Sequence, residues 1–257
     1  MRVFFSLVLS NFQRAVFTFR FLLSSFSVAI LLYFTSFKLI SPESDVLYIL
    51  GVSILGGGGV LFIIVGVLPL FSYATSFADE WEQRATSFWI IRAGVNRYTI
   101  AKLLVVGLSV FLVTALGILI FVLFLLIKQP FFTSSSTGGA YEVLLLTERP
   151  ILYLLFFTIH ISLSSVLLAV ISLWVSSYIP NKFVAIAAPL VIYFVIHRFT
   201  TQLDIPEYLK AVVIVEGFYN AGTPATSLLF KFGTVTILCM VLGIATVLQM
   251  HRRIKHD

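Results

Sequence analysis

Residues 100–127 read IAKLLVVGLSVFLVTALGILIFVLFLLI, and after Lys102 there are 25 consecutive residues without a charged side chain. As an α-helix those 25 residues rise about 37 Å, more than the ~30 Å thickness of a bilayer's hydrocarbon core. The run is continuously apolar, whereas a strand of a membrane barrel alternates apolar and polar side chains, so a barrel is excluded. This stretch reads as a membrane-spanning helix. Working outward from it, similar apolar runs lie at about 21–40, 46–73, 151–174, 183–196 and 228–250, giving six spans with 100–127 as the third. Composition agrees: 60% of the 257 residues are hydrophobic and 11% charged, with a mean hydropathy of +1.07. That leaves too little polar surface to cover a water-soluble domain of this length, so lipid must be the main solvent. The expected fold is an all-α membrane protein, one transmembrane domain over 1–257, with no internal repeat dividing it.

Residues 1–20 place Ser6, Ser10, Asn11, Gln13, Arg14 and Thr18 at helical spacings among Phe4, Phe5, Leu7, Val8, Phe12, Val16 and Phe19. The pattern predicts an amphipathic helix lying in the membrane interface. Arg2, Arg14 and Arg20 are spread through it with no small-residue cleavage site, so it does not read as a removed signal peptide. Ser41-Pro42-Glu43 stops the first span, and the second holds Gly51, the run Gly56 to Gly59, Gly66 and Pro69, which suits close helix packing or a local distortion. Residues 128–150 read as a loop. The piece Ala211 to Val215 is too short to cross and suits a re-entrant or interfacial helix. The single cysteine, Cys239, lies inside the sixth span and packs as a small hydrophobe.

Orientation follows from basic residues. With both termini in the cytosol, the cytosolic segments hold 11 of the 17 Lys and Arg against four acids, and the outer segments hold six against seven, a net +7 inside and −1 outside. Cytosolic loops collect Lys and Arg, so this arrangement is expected, in the plasma (cytoplasmic) membrane. The basic balance reflects topology and requires no nucleic-acid partner. Partners are expected among membrane lipid and proteins.

The densest charge sits between spans two and three, where residues 76–102 read SFADEWEQRATSFWIIRAGVNRYTIAK. Three acids fall in the first turns of a predicted helix over 76–92, capped by Thr75 or Ser76 and closed by Gly94. Phe77, Trp81, Ala85, Phe88 and Arg92 share a stripe on that helix, which is expected to lie flat on the cytosolic face. Two readings stay open from the residues alone: a docking surface for a soluble partner, because aromatics and Arg dominate interfaces, or an interfacial helix whose Trp residues sit among headgroups.

The order of elements, together with Arg92-x-Gly94-x-x-Arg97-Tyr98-x-x-x-Lys102 leading into the third span, resembles the permease subunits of type-2 ABC exporters. The likeness covers nearly the whole chain as architecture, while its motif is confined to about 25 residues. It implies that the 76–92 segment is a coupling helix docking on a separate ABC ATPase, and that two permease chains, identical or homologous, pair to form the pathway. Glu80, Trp81, Arg84, Phe88 and Arg92 become the implied coupling contacts, and Arg97 and Lys102 the anchors of the return into the membrane. No G-x-x-x-x-G-K-[ST] loop occurs in the chain. ATP and Mg are therefore expected on the partner ATPase, with no catalytic residue, metal or cofactor on this chain.

His160 within span four, and Glu216, Tyr219 and Asn220 in the irregular outer segment, are candidate pathway or gate residues. The plain alternatives are a hydrogen-bonded packing histidine and a solvated loop. Asp79-Glu80-x-x-x-Arg84 with Phe156-x-x-x-His160 also approaches the signature of an intramembrane protease, in which Glu80 and His160 would activate one water. A membrane scaffold that transports nothing is the third reading.

Overall fold

The computed structural model describes residues 2–41, 44–55, 60–133 and 139–256. The expected packing role of Gly56 to Gly59, the stop at Pro42-Glu43 and most of the Ser/Thr/Gly run near 134–138 lie outside these residues. Among the described residues every regular element is helical, and six helical stretches are long and apolar enough to cross a membrane.

The chain opens with α1 (Arg2–Val16). Its buried stripe is Leu7, Asn11 and Ala15, while Val3, Phe5 and Leu9 are exposed. Asn11, expected on a polar face, thus points into the protein, and the exposed residues mix Val3, Phe5 and Leu9 with Ser6, Gln13 and Arg14. Thr18 then caps α2 (Phe19–Ser36), its hydroxyl accepting from the Phe21 amide, and a 3-10 turn over Phe37–Leu39 ends the first span.

The second passage is interrupted at the turn over 67–69, as Pro69 predicts. It comprises α3 (Val46–Leu55), α4 (Val60–Gly66) and, beyond a turn at Pro69, α5 (Leu70–Tyr73). Span-like character persists beyond the expected boundary at 73, through Ile63–Glu82. The helix predicted over 76–92 is two helices, α6 (Ser76–Glu82) and α7 (Ala85–Ala93). Arg84 separates them with a left-handed backbone at φ 56°. Thr75 itself has helical dihedrals and makes no capping bond, because α6 continues from α5 rather than starting afresh. Gly94, at φ 80°, does close α7 and releases α8 (Val95–Leu125) in a new direction, a conformation that costs glycine little.

Residues 128–150, expected as loop throughout, contain α9 (Glu142–Leu146), which buries Tyr141 and Leu145. Three long helices follow: α10 (Pro150–Tyr178), α11 (Lys182–Gln202) and, after the short α12 (Ala211–Val215), α13 (Pro224–His256). Each of these long helices runs further than its apolar run suggested, since polar ends extend the helices beyond their hydrophobic centres.

α8 and α10 form the centre. α1 and α2 pack on α8, α11 packs on α10, and α13 touches both. Small side chains line α10 on several sides: Ser162, Ser164, Ser165, Ser172 and Ser176 are fully buried, with Thr114 Oγ1 of α8 donating to Ser165 Oγ at 2.8 Å, Ser172 Oγ donating to the Ala185 carbonyl of α11 and Ser164 Oγ to the Val215 carbonyl of α12. Small hydroxyl residues let helix backbones approach in lipid and satisfy themselves across the contact. On α8, a Cβ at Gly117 would stand 2.6 Å from Val28 Cβ of α2. The bundle has two distinct ends, one carrying α6 and α7, the other α9 and α12.

Gly117→Ala is therefore expected to force α2 away from α8 and cost about 1–3 kcal/mol. Gly233→Ala, where an added Cβ meets nothing within 4 Å, should be neutral or stabilising. Thermal unfolding of both variants in detergent checks the contrast.

Candidate functional site

At the α6–α7 end the sequence places an acid-rich helix against the first turns of α8, and the two meet through a buried ion pair. Glu80 Oε1 accepts from Lys102 Nζ at 2.6 Å, and Glu80 Oε2 accepts from Tyr98 OH at 2.6 Å. Tyr98 and Lys102 are one helical turn apart on α8, so both reach one carboxylate. Lys102 is 1% exposed. Its ammonium also stands 4.8 Å from the Tyr73 ring centre and 3.4 Å from the Tyr73 hydroxyl. Tyr73 OH in turn donates to Asn11 Oδ1 at 2.9 Å, and Asn11 Nδ2 donates to the Leu7 carbonyl at 3.0 Å. One polar chain thus joins α1, α5, α6 and α8. A charge removed from water is tolerated when its hydrogen bonds are complete, and here each carboxylate oxygen has a donor.

Around this chain lies a second set of contacts nearer solvent. Asp79 pairs with Arg20 of α2 at 3.4 Å and with Lys182 of α11 at 2.9 Å, and Lys182 also reaches Glu82 at 2.9 Å. Trp81 stacks beneath Arg253 of α13, whose guanidinium carbon is 4.0 Å from the ring centre. The same Arg253 donates to the Ser177 and Tyr178 carbonyls at the end of α10. Arg14 of α1 lies 5.4 Å from the Trp89 ring centre. The α6–α7 hairpin is consequently fastened to α1, α2, α8, α11 and α13. Single exposed pairs are weak, but several converging on one hairpin fix its position.

The expected coupling residues divide at the Arg84 hinge. Glu80 and Trp81 face inward and are engaged as described. Arg84, Phe88 and Arg92 are exposed, and so is Ile91, which the sequence reading omitted. Phe88 is 71% and Ile91 82% exposed. With Phe88, Ile91 and Arg92 spaced by three and four, α7 presents one outward face of two large apolar side chains and a cationic one, and Arg84 is exposed at the turn just before it. In an unbroken helix Phe88 and Ile91 would share the face of Phe77, which is buried; the left-handed Arg84 resets the helical phase, so that on α7 these side chains turn outward. Arg97 is exposed at the start of α8, whereas Lys102, five residues beyond it, is inside.

At the other end, His160 on α10 has both ring nitrogens engaged. Nε2 lies 3.0 Å from the Gly217 carbonyl and Nδ1 2.8 Å from Tyr141 OH. A carbonyl can only accept, so the tautomer with hydrogen on Nε2 satisfies both partners. Burial pushes the Tyr141 phenol above its ordinary range, which keeps its proton available for His160. Phe218 stacks on the imidazole with centroids 4.3 Å apart. Glu216 accepts from Tyr193 OH at 2.5 Å, Tyr219 is buried and its hydroxyl is 3.5 Å from the Tyr208 carbonyl, and Asn220 is exposed. His160, Glu216 and Tyr219 therefore gather around α12, while Asn220 stands outside.

Glu80 and His160 do not meet. Lys102, the partner of Glu80, lines one small cavity with Leu173 and Ser177 of α10, and these lie 13 and 17 residues beyond His160 on the same helix. At 1.5 Å per residue the separation is about 20–25 Å, too far for one water to bridge. Among the described residues no group of three or more His, Cys, Asp or Glu side chains is placed to hold a metal. Compared with protein-family models, curated proteins and solved structures, the chain shows no significant match.

Lys102→Met should cost about 3–5 kcal/mol, because it leaves the Glu80 carboxylate without its cation, and Glu80→Gln combined with Lys102→Met should recover part of that loss. A double-mutant cycle of unfolding free energies in detergent measures the coupling. Tyr141→Phe, which deprives a buried imidazole nitrogen of its donor, should cost about 1–3 kcal/mol in the same assay.

Proposed function

We propose that the chain is the transmembrane subunit of an ATP-driven exporter of the type-2 ABC class, with the α6–α7 hairpin as its coupling element. The observation that carries this reading is the outward face of α7: Phe88 and Ile91 flanked by Arg84 and Arg92, on a hairpin whose inner face is fastened to five other helices. Two large apolar side chains rimmed by arginines suit a protein interface better than solvent, and firm attachment lets a push on α7 reach the spans.

In this reading the α6–α7 end faces the cytosol, which agrees with the concentration of basic residues there. Both termini are then cytosolic, and the protein belongs to the plasma (cytoplasmic) membrane. A separate ABC ATPase binds ATP and Mg, closes, and displaces the hairpin. That displacement passes through α6 and the Glu80–Lys102 pair to α8, and two permease chains, identical or homologous, alternate access to the pathway between them.

Expression together with its neighbouring genes is expected to yield a complex that retains an ATPase in mild detergent. Phe88→Asp and Ile91→Asp should abolish that retention without shifting the permease's unfolding midpoint. Retention by both variants sinks the docking assignment, and a chain that never holds an ATPase sinks the exporter reading.

A further inference from the structure

α8 and α13 meet at two points. Near the α6–α7 end, His251 Nε2 donates to Asn96 Oδ1 at 2.5 Å. Further along, Leu103 Cδ1 lies 3.3 Å from where a Cβ on Gly243 would stand. Pairing 96 with 251 and 103 with 243 makes the two helices antiparallel. On one side of this contact Thr99 and Lys102 of α8, Thr246 and Met250 of α13, and Leu173 and Ser177 of α10 enclose a small cavity. Across each helix axis from those residues lies an exposed stripe. On α8 it is Arg97, Ile100, Leu104 and Leu108, and on α13 it is Ile244, Leu248, His251 and Lys255. Both are spaced by three and four, so each is one face. The α13 stripe passes through His251 and the α8 stripe begins beside Asn96, so the two border one outward furrow.

Each stripe is apolar along its length and ends in a cation at the same level. Arg97 follows Asn96, and Lys255 is one turn beyond His251, so a guanidinium and an ammonium flank one contact. Both are exposed, and neither makes an ion pair among the described residues. The described acids at this end are engaged elsewhere: Glu80 with Lys102, Asp79 with Arg20 and Lys182, Glu82 with Lys182. From Arg97 the exposed stripe runs about 16 Å to Leu108, and Leu248, Ile244 and the exposed Met240 cover a similar depth from His251. We propose that this furrow binds one anionic phospholipid, its phosphate held by Arg97, Lys255 and His251 and its acyl chains lying over Ile100, Leu104, Ile244 and Leu248.

Charge decides the occupant. Each Lys or Arg at a membrane surface strengthens binding of anionic lipid about fivefold, whereas the ammonium of a zwitterionic headgroup meets two like charges. A second copy of this chain pairing through the same face by a two-fold axis would set these cations against their own counterparts, with no acid in either stripe to meet them. The phosphate bridges α8, whose Lys102 holds Glu80, and α13, whose Arg253 holds Trp81, so bound lipid braces the two helices on which α6 is fastened. The site depends on the membrane fold alone and holds whether or not an ATPase docks on α7.

The test reconstitutes the full chain in phosphatidylcholine vesicles doped with a trace of phosphatidylglycerol whose acyl tail carries a diazirine, and maps the photoadducts by mass spectrometry. Labelling is expected within residues 100–108 and 240–248, displaced saturably by unlabelled phosphatidylglycerol and not by added phosphatidylcholine. Arg97→Gln with Lys255→Gln should lower that labelling at least tenfold without moving the unfolding midpoint in detergent. Lys255→Gln alone, on an exposed last turn, should lower it about fivefold, and Arg97→Lys should retain most of it. Lys38→Gln with Lys128→Gln, the same loss of charge on exposed residues at the other end, should leave it intact. Equal labelling by a diazirine-tailed phosphatidylcholine overturns the site, as does labelling indifferent to the Arg97 and Lys255 variants. A disulfide that forms between two chains carrying Leu104→Cys assigns the face to a second copy and overturns it equally.

Discussion

Lys102 enters the fold on a helix that is otherwise a membrane span, and its ammonium must find a partner before that helix can pack. Glu80 supplies the partner at 2.6 Å, and Tyr98, Tyr73 and Asn11 extend the contact into a chain of hydrogen bonds across four helices. In a medium that offers no hydrogen bonds, an ion pair of this kind contributes little net stability against an apolar replacement, but it strongly penalises every arrangement in which the pair is separated. It therefore sets the register of α6 against α8. Once that register is fixed, the outer face of α7 is fixed as well, because only the Arg84 turn lies between them.

The opposite end uses polar groups differently. There His160, Ser164 and Lys231 hold the backbone carbonyls of the α12 segment, satisfying irregular backbone that lipid could not. The result is a short helix clamped inside the bundle. α10 joins both regions: its Ser165 meets Thr114 of α8, its histidine supports α12, and its last turn receives Arg253 beside Trp81. The peripheral helices α11 and α13 expose large apolar side chains, which marks them as lipid-facing or partner-facing surfaces.

Several features of the candidate sites were legible in the sequence for physical reasons. Charge density singled out residues 76–102, and Gly94 marked the break before α8, since a positive φ favours a residue without Cβ. The hinge at Arg84 was not legible, because arginine carries no preference for a left-handed backbone and the hairpin's attachments impose it. Glu80 and Trp81 looked like surface contacts because their partners, Lys102 and Arg253, lie 22 and 172 residues away. Asn11 was placed on a polar face by periodicity, yet it turns inward, since in lipid the buried side of a helix is where a polar group finds a partner.

The sequence by itself determined the all-helical class, six apolar crossings and the concentration of charge at one connection, because hydrophobic length and local charge are properties of contiguous residues. Tertiary structure decided which side chains of that connection face outward, that α9 and α12 tuck into the bundle, and that the exposed stripes of α8 and α13 lie side by side. Those outcomes depend on pairings between distant helices, and the satisfaction of buried polar groups, not local propensity, selects among them.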